Sequence, residues 1–329
     1  MKKVSIIGAG AWGNALGMAA YRAGNKVTLW TIDEAAVNSM NSTHKNPFLP
    51  HVEIPADMPA TTDLAIAMDA DVLLLVVPAQ VLSKVLKQMQ DIGLSEKVPL
   101  VLCSKGIEQG SGKLMSEIAE EYFPKNPLAI ISGPNFADEV AKGNPSAATL
   151  ACHDTMVGME LVKILGSKTF RTYYADDVIG AQIGGAVKNV LAIACGISEG
   201  LGYGENTRVA LVTRGMTETV RLCLAKQGKR DTLLGLCGIG DMMLTCGSRK
   251  SRNMSLGYQL GQGLSLTEIL AQGKTVEGFF SAESVTTLAD KLRVDMPICG
   301  AVNRILHQGV SIEDAIESLL DRPLTVEKV

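Results

Sequence analysis

Within its first 24 residues this chain commits itself to a narrow set of folds. An apolar run, KVSIIG (3–8), leads directly into GAGAWG (8–13). AWGNALGMAAYRAG (11–24) then carries helical spacing up to a stop at Gly24. The three glycines follow G-x-G-x-x-G between a strand and a helix, and each meets a different steric need. Gly8 permits the tight turn, Gly10 lets backbone approach a pyrophosphate, and Gly13 allows the helix to pack closely on the strand. N–H groups at the helix start then meet phosphate oxygens. Together these features imply an open α/β sheet that takes a dinucleotide.

The rest of the first half repeats the strand signal. KVTLW (26–30), DVLLLVVP (71–78), PLVLCSKG (99–106), LAIISGP (128–134), SAATLAC (146–152) and FRTYYADD (170–177) are short apolar runs, several of them closed by Gly or Pro. Nearly continuous apolar strands separated by helices imply a mostly parallel sheet covered on both faces. From about residue 178 the pattern turns helical, over 178–200, 206–227, 241–246, 251–262, 281–292 and 298–307. The length of 329 residues accommodates two domains. The expected division is 1–178, binding dinucleotide, and 179–329, an all-α domain binding substrate and carrying the chemistry. The last six or seven residues read as a loose tail.

Composition removes several function classes. A net charge of −3 offers no basic field for nucleic acid or an anionic membrane surface. Seven cysteines without a C-x-x-C spacing, mostly in apolar runs, read as reduced, buried thiols of a cytoplasmic protein. The four histidines show no metal-ligand spacing, so no metal is expected. The start, MKKVSIIGAG, has the charge and apolarity of a signal peptide, but its glycines interrupt the apolar core and it reads as mature structure. No stretch approaches 18 clean apolar residues, so no membrane insertion is expected.

Several charged residues stand where charge is unusual. Lys188 lies inside GAQIGGAVKNVLAIACGISEGLGYG (180–204). Its helical neighbours are Ala181, Gly184, Gly185, Leu191, Ala192 and Cys195, five of them small. The small side chains imply space that a ligand fills, against the plainer reading of a lysine passing a tight packing seam. Lys105 in CSKGI follows an apolar strand, at the edge where open sheets bind ligands. Asp241 and Thr245, four apart, share one helical face, although Asp241 also suits an N-cap. SRKSRN (248–253) puts Arg249, Lys250, Arg252 and Asn253 before a helical run, as an anion site would, or as a solvated turn would. Asp33 stands about 20 residues past the glycine turn, and two readings stay open: a ribose-binding acid or an N-cap for the helix at Glu34.

GAGAWGNAL, SKGI, SGPNFADEV, GGAVKNVLAIACGISEGLGYGENTR, GIGDMMLTC, SRN and VEG occur in an order that spans nearly the whole chain. In this the chain resembles the bacterial NAD(P)-dependent glycerol-3-phosphate dehydrogenases. The resemblance implies a Rossmann-type N-terminal domain, an all-α C-terminal domain, and a small phosphorylated triose as substrate, interconverted between sn-glycerol 3-phosphate and dihydroxyacetone phosphate. It implies Lys188 as proton acceptor, with Lys105, Gly133, Asn135, Asp241, Ser251, Arg252 and Asn253 around the substrate. It implies Ala11, Trp12, Ile32, Lys105, Ala137, Arg252 and Glu277 against the cofactor, with Gly8, Gly10, Gly13 and Asp33 from the fingerprint. A homodimer and a supply of glycerol 3-phosphate for phospholipid synthesis follow from the same source. Three positions depart from the family: Ala79 where serine is usual, Asn135 where serine or threonine is common, and Ile32 where NADPH users are often basic. Both NAD and NADP therefore remain open.

A lysine that accepts a hydroxyl proton must be neutral, so its pKa must fall from about 10.4. Burial lowers it and a second cation such as Lys105 adds to that, whereas Asp241 opposes it. The expected roles for Asp241 are to orient Lys188 or hydroxyls, or to balance the combined positive charge. Two rivals stand beside this reading. One is another two-domain dehydrogenase of the 3-hydroxyacid or 6-phosphogluconate type, which lacks the SRN turn after a GxGD segment. The other is a non-catalytic nicotinamide sensor on the same fold.

Overall fold

The computed structural model describes residues 1–273, 276–324 and 326–327, so part of the expected C-terminal tail lies outside the described residues. The chain forms two compact units. One contains Met1–Ser104 and Met115–Val178, the other Lys105–Leu114 and Ile179–Val329. No single cut of the sequence yields this division, because a ten-residue segment in the first half packs with the second.

The first unit is built on an eight-stranded sheet among the described residues: β1 (Lys3–Ile7), β2 (Lys26–Trp30), β3 (Ala60–Thr61), β4 (Val72–Leu75), β5 (Leu100–Leu102), β6 (Leu128–Ser132), β7 (Ser146–Cys152) and β8 (Phe170–Ala175). Their order is β3-β2-β1-β4-β5-β6-β7-β8. From β3 through β6 every pairing is parallel. Ile7 lies level with Trp30 on one side and Leu75 on the other, so these strands end together and release their loops along one edge. β7 runs antiparallel to β6, and β8 follows β7 in parallel. A short apolar run reads alike in either direction, so orientation could not be taken from sequence. β3, two residues long, is below the reach of any periodicity. Val4, Ile6, Leu16, Leu29, Leu74, Val101, Ile131, Leu150 and Phe170 form one continuous core, nearly all with negligible exposure.

The second unit is arranged around the helix Val178–Gly200, which contributes Ile183, Val187, Val190, Leu191 and Ile193 to its core. This helix is long and apolar enough to cross a membrane, but 89% of its most apolar window is buried inside the protein, as in a core helix. Around it lie Glu205–Ala225, Asp241–Cys246, Arg252–Gly261, Glu277–Leu292, Pro297–His307 and Ile312–Leu320. The last was not expected from sequence. Nor was the π-helical turn Leu236–Gly240, a form that periodicity does not report.

One of the small residues beside Lys188, Gly184, is closely packed, and close glycine contacts continue farther along the helix. A Cβ on Gly184 would lie 2.5 Å from the Cys237 carbonyl oxygen, within the π-helical turn. Further along, a Cβ on Gly196 would lie 2.2 Å from the Met254 oxygen, and one on Gly257 would lie 2.1 Å from the Ile193 oxygen. Two helices thus touch backbone to backbone, a proximity only glycine permits. Gly184, Gly196 and Gly257 thus lie on seams between protein elements.

Candidate functional site

In the first unit the glycine turn has the geometry its spacing implies. Gly8 has φ +116°, and a Cβ there would fall 2.9 Å from the Val76 carbonyl. A Cβ on Gly13 would fall 1.9 Å from the Gly8 oxygen, whereas one on Gly10 would meet nothing within 4 Å. The amides of Gly8 and Ala9 both donate to the Trp30 carbonyl, at 3.0 and 2.8 Å, tying the turn to β2. Gly10 begins the helix Ala11–Arg22 without a side-chain cap. At the other end Arg22 donates to the carbonyls of Val140 and Ala141.

These features fit a dinucleotide. The helix start is open and uncapped, as phosphate binding requires. The buried polar atoms without a partner in this unit include Trp12 Nε1, both amide atoms of Asn14, Ser132 Oγ and Asn135 Oδ1. Unpartnered buried polar groups are costly and mark places where a bound molecule belongs. Most of these residues follow β1 or β6 in sequence. Asn14 was not singled out from sequence; a polar residue in the apolar stretch NALGMAA was the available signal. Gly133, with φ +157°, and Asn135, whose Nδ2 donates to the Ala147 carbonyl at 2.9 Å, lie just past β6. Ala137 opens the helix Ala137–Lys142. Ile32, two residues past the end of β2 at Trp30, is 83% exposed. Of the two readings of Asp33, the cap is observed: Asp33 Oδ1 accepts from the Ala36 amide at 3.0 Å.

The second unit brings together four of the sequence candidates. Lys188, 6% exposed, donates from Nζ to Asp241 Oδ1 at 2.7 Å and to Thr245 Oγ1 at 2.8 Å. Thr245 donates in turn to Asp241 Oδ1 at 3.3 Å. The other carboxylate oxygen, Oδ2, accepts from Lys105 Nζ at 2.6 Å. One buried carboxylate is therefore shared by two ammonium groups. Asp241 opens the helix Asp241–Cys246, which has no side-chain cap, so its carboxylate serves the lysines. Asp241 and Thr245 reach Lys188 together because residues four apart lie on one helical face. Burial pushes Lys188 down to about 8; Asp241 opposes that shift and Lys105 reinforces it.

The SRN turn lies in the same unit. Ser251 caps the helix Arg252–Gly261, its Oγ accepting from the Met254 amide at 3.3 Å. Arg252, the first helical residue, is exposed. Asn253 is buried. Its Nδ2 donates to Asn189 Oδ1 at 2.9 Å, and its Oδ1 accepts from the Gly278 amide at 2.8 Å. Gly278 is the second residue of the helix Glu277–Leu292, whose own start has no side-chain cap. The Asn253 carboxamide thus joins the residues directly after Lys188, Arg252 and Glu277. Asn189 and Gly278 were missed from sequence, since a single amide pair in apolar surroundings has no periodic signature. Among the described residues, no group of three His, Cys, Asp or Glu side chains is placed to hold a metal ion.

An open, mostly parallel sheet with an uncapped helix behind its glycine turn, in a chain that also holds a buried lysine on a carboxylate, suits the class of nicotinamide-nucleotide dehydrogenases. Residues 3–158 match the family model described as the NAD-dependent glycerol-3-phosphate dehydrogenase N-terminus, and residues 177–317 match that of its C-terminus. A glycerol-3-phosphate dehydrogenase, NAD(P)+, of Rhodospirillum rubrum is 49% identical over 327 residues, covering 98% of this chain and 93% of the relative. One of Parvibaculum lavamentivorans is 48% identical, covering 99% and 98%. Among solved structures, the glycerol-3-phosphate dehydrogenase of Coxiella burnetii superposes with a TM-score of 0.93 at 38% identity, covering 98% of this chain and 99% of that one. The chain belongs to the NAD-dependent glycerol-3-phosphate dehydrogenase family.

Proposed function

We propose that this protein interconverts sn-glycerol 3-phosphate and dihydroxyacetone phosphate with NAD or NADP, and that Lys188 moves the proton. The observation that carries this reading is the buried cluster of Lys188, Asp241, Thr245 and Lys105. The nicotinamide, when bound, supplies the hydride acceptor for the alcohol or the donor for the ketone.

Oxidation of the alcohol requires removal of its hydroxyl proton. With a pKa near 8, Lys188 is partly neutral around physiological pH and accepts that proton at Nζ; in reduction the ammonium returns it. Asp241 balances the two cations and fixes the direction of Nζ, and Thr245 fixes a second N–H. Arg252, exposed at a helix start beside the Ser251 cap, suits a forked grip on phosphate oxygens. Phosphate binding remote from the reacting carbon then holds that carbon in place for the transfer. Gly133, Asn135 and Asn253 complete the substrate contacts in this reading. Ala11, Trp12, Ile32, Asp33, Ala137 and Glu277 join the glycine turn on the cofactor. A homodimer, a cytoplasmic setting and delivery of glycerol 3-phosphate to phospholipid synthesis belong to the same proposal. The setting is supported by seven buried cysteines, none of them in a disulfide.

Lys188→Ala tests the central role. Turnover is expected to fall by roughly 10³-fold, within the range for loss of a general acid–base group, while NADH binding by fluorescence titration stays unchanged. Turnover within a few-fold of wild type would remove Lys188 from the mechanism.

A further inference from the structure

Lys105 reaches the buried carboxylate by an unexpected route. Ser104 and Met115 both belong to the sheet unit, but the ten residues between them pack with the helices. These residues form a hairpin. Ile107 and Leu114 make an antiparallel bridge, the Glu108 amide donates to the Lys113 carbonyl at 3.0 Å, and the Gly112 amide donates to the Glu108 carbonyl at 3.0 Å. Ile107 and Leu114 are fully buried in the same core cluster as Val187, Leu191, Met242 and Cys246. Two surface ties come from one helix: Gln109 Nε2 donates to Glu283 Oε2 at 2.5 Å, and Lys291 Nζ donates to the Ser111 carbonyl at 2.8 Å.

We infer that Ile107 and Leu114 are positioning residues for the proton-transfer centre: they root the 105–114 hairpin in the helical core and so set the Lys105 ammonium on Asp241. The inference rests on the role proposed above for Lys188. Ordering a ten-residue excursion costs conformational entropy, and two fully buried aliphatic side chains offset part of it. Exposed ties such as those from Glu283 and Lys291 contribute little alone. The buried pair therefore carries the placement, and the surface pair trims it. The charged and titratable groups acting on Lys188 are Asp241, Lys105 and the Cys246 thiol. Asp241 favours the ammonium and Lys105 opposes it. A hairpin that lets Lys105 swing away removes the opposing cation and leaves Asp241 to act on Lys188 alone. The pKa of Lys188 then rises, and the neutral form becomes scarcer at a given pH.

The test is the pH profile of glycerol 3-phosphate oxidation by the full-length enzyme, with far-UV circular dichroism as a check on folding. For wild type, kcat/KM is expected to rise through about pH 8. In Leu114→Ala, nine residues from Lys105, that limb should move about one pH unit upward and turnover at pH 8 should fall about fivefold. Leu114→Ile should restore both, and Lys105→Met should move the limb at least as far. If Leu114→Ala does not fold, the double variant Gln109→Ala with Lys291→Met makes the same test at the surface, with a smaller displacement in the same direction. A folded variant whose activity falls equally at every pH, with the limb in its wild-type place, would overturn the positioning role. A limb that moves in Lys105→Met but in neither hairpin variant would overturn it too. A limb unmoved in Lys105→Met would refute the charge role of Lys105, and the inference with it. A profile without a limb near pH 8 in wild type would instead break the reading of Lys188.

Discussion

Two sets of glycines, one in each unit, perform opposite tasks. At the start of the first, Gly10 faces open space, and a Cβ there would meet nothing within 4 Å. In the second, Gly196 and Gly257 face the backbone of a neighbouring helix, with distances of 2.2 and 2.1 Å to a hypothetical Cβ. The first kind of glycine leaves open space beside it, and the second is used up by the protein itself. Recognition is divided accordingly. In the sheet unit, backbone N–H groups are offered to a ligand. In the helical unit, the proposed function gives that work to charged side chains, Lys188 and Arg252.

That contrast is open to attack by substitution. The largest effect is expected from Gly257→Val. Its side chain would collide with the Ile193 carbonyl, and stability should fall by roughly 3 kcal/mol or folding should fail outright. A denaturation midpoint close to wild type would mean that the seam is loose. Arg252→Ala should leave the fold intact and lower kcat/KM for phosphate-bearing substrates about 100-fold, or ~2.7 kcal/mol. Comparable losses on glycerol without phosphate would deny Arg252 its grip. Gly10→Ala should change stability by less than about 1 kcal/mol, because nothing obstructs the new methyl group. It should nonetheless weaken NADH binding about tenfold, or ~1.4 kcal/mol. If the melting temperature drops while affinity is unaltered, the two kinds of glycine have been confused. The smallest effect is expected from Asp33→Ala, which removes a helix cap worth about 1 kcal/mol, with Asp33→Asn losing less. A weakened NADH affinity in Asp33→Asn would restore the ribose-binding reading.

Much of the architecture was legible from residue order. β1, β2, β7 and the helices Val178–Gly200 and Asp241–Cys246 lie where apolar runs and helical spacing put them. The glycine fingerprint was readable because its constraints are local: three residues act on a turn six residues long. Thr245 was readable as a partner of Asp241 for the same reason.

Other features depend on elements far apart in the chain, and these only the folded molecule could settle. The reversal of β7 depends on which edge it joins, and a run of apolar residues carries no direction. The hairpin that takes Lys105 to Asp241, 136 residues away, is invisible to any local pattern. The small side chains around Lys188 marked an unusual place without saying what lies beside each of them. A sequence reports that a side chain is small, whereas what occupies the space beside it is decided by whatever folds back against it. Local sterics and periodicity are written along the chain. The sharing of one buried carboxylate by two distant amines is a property of packing, because charge and burial act through space.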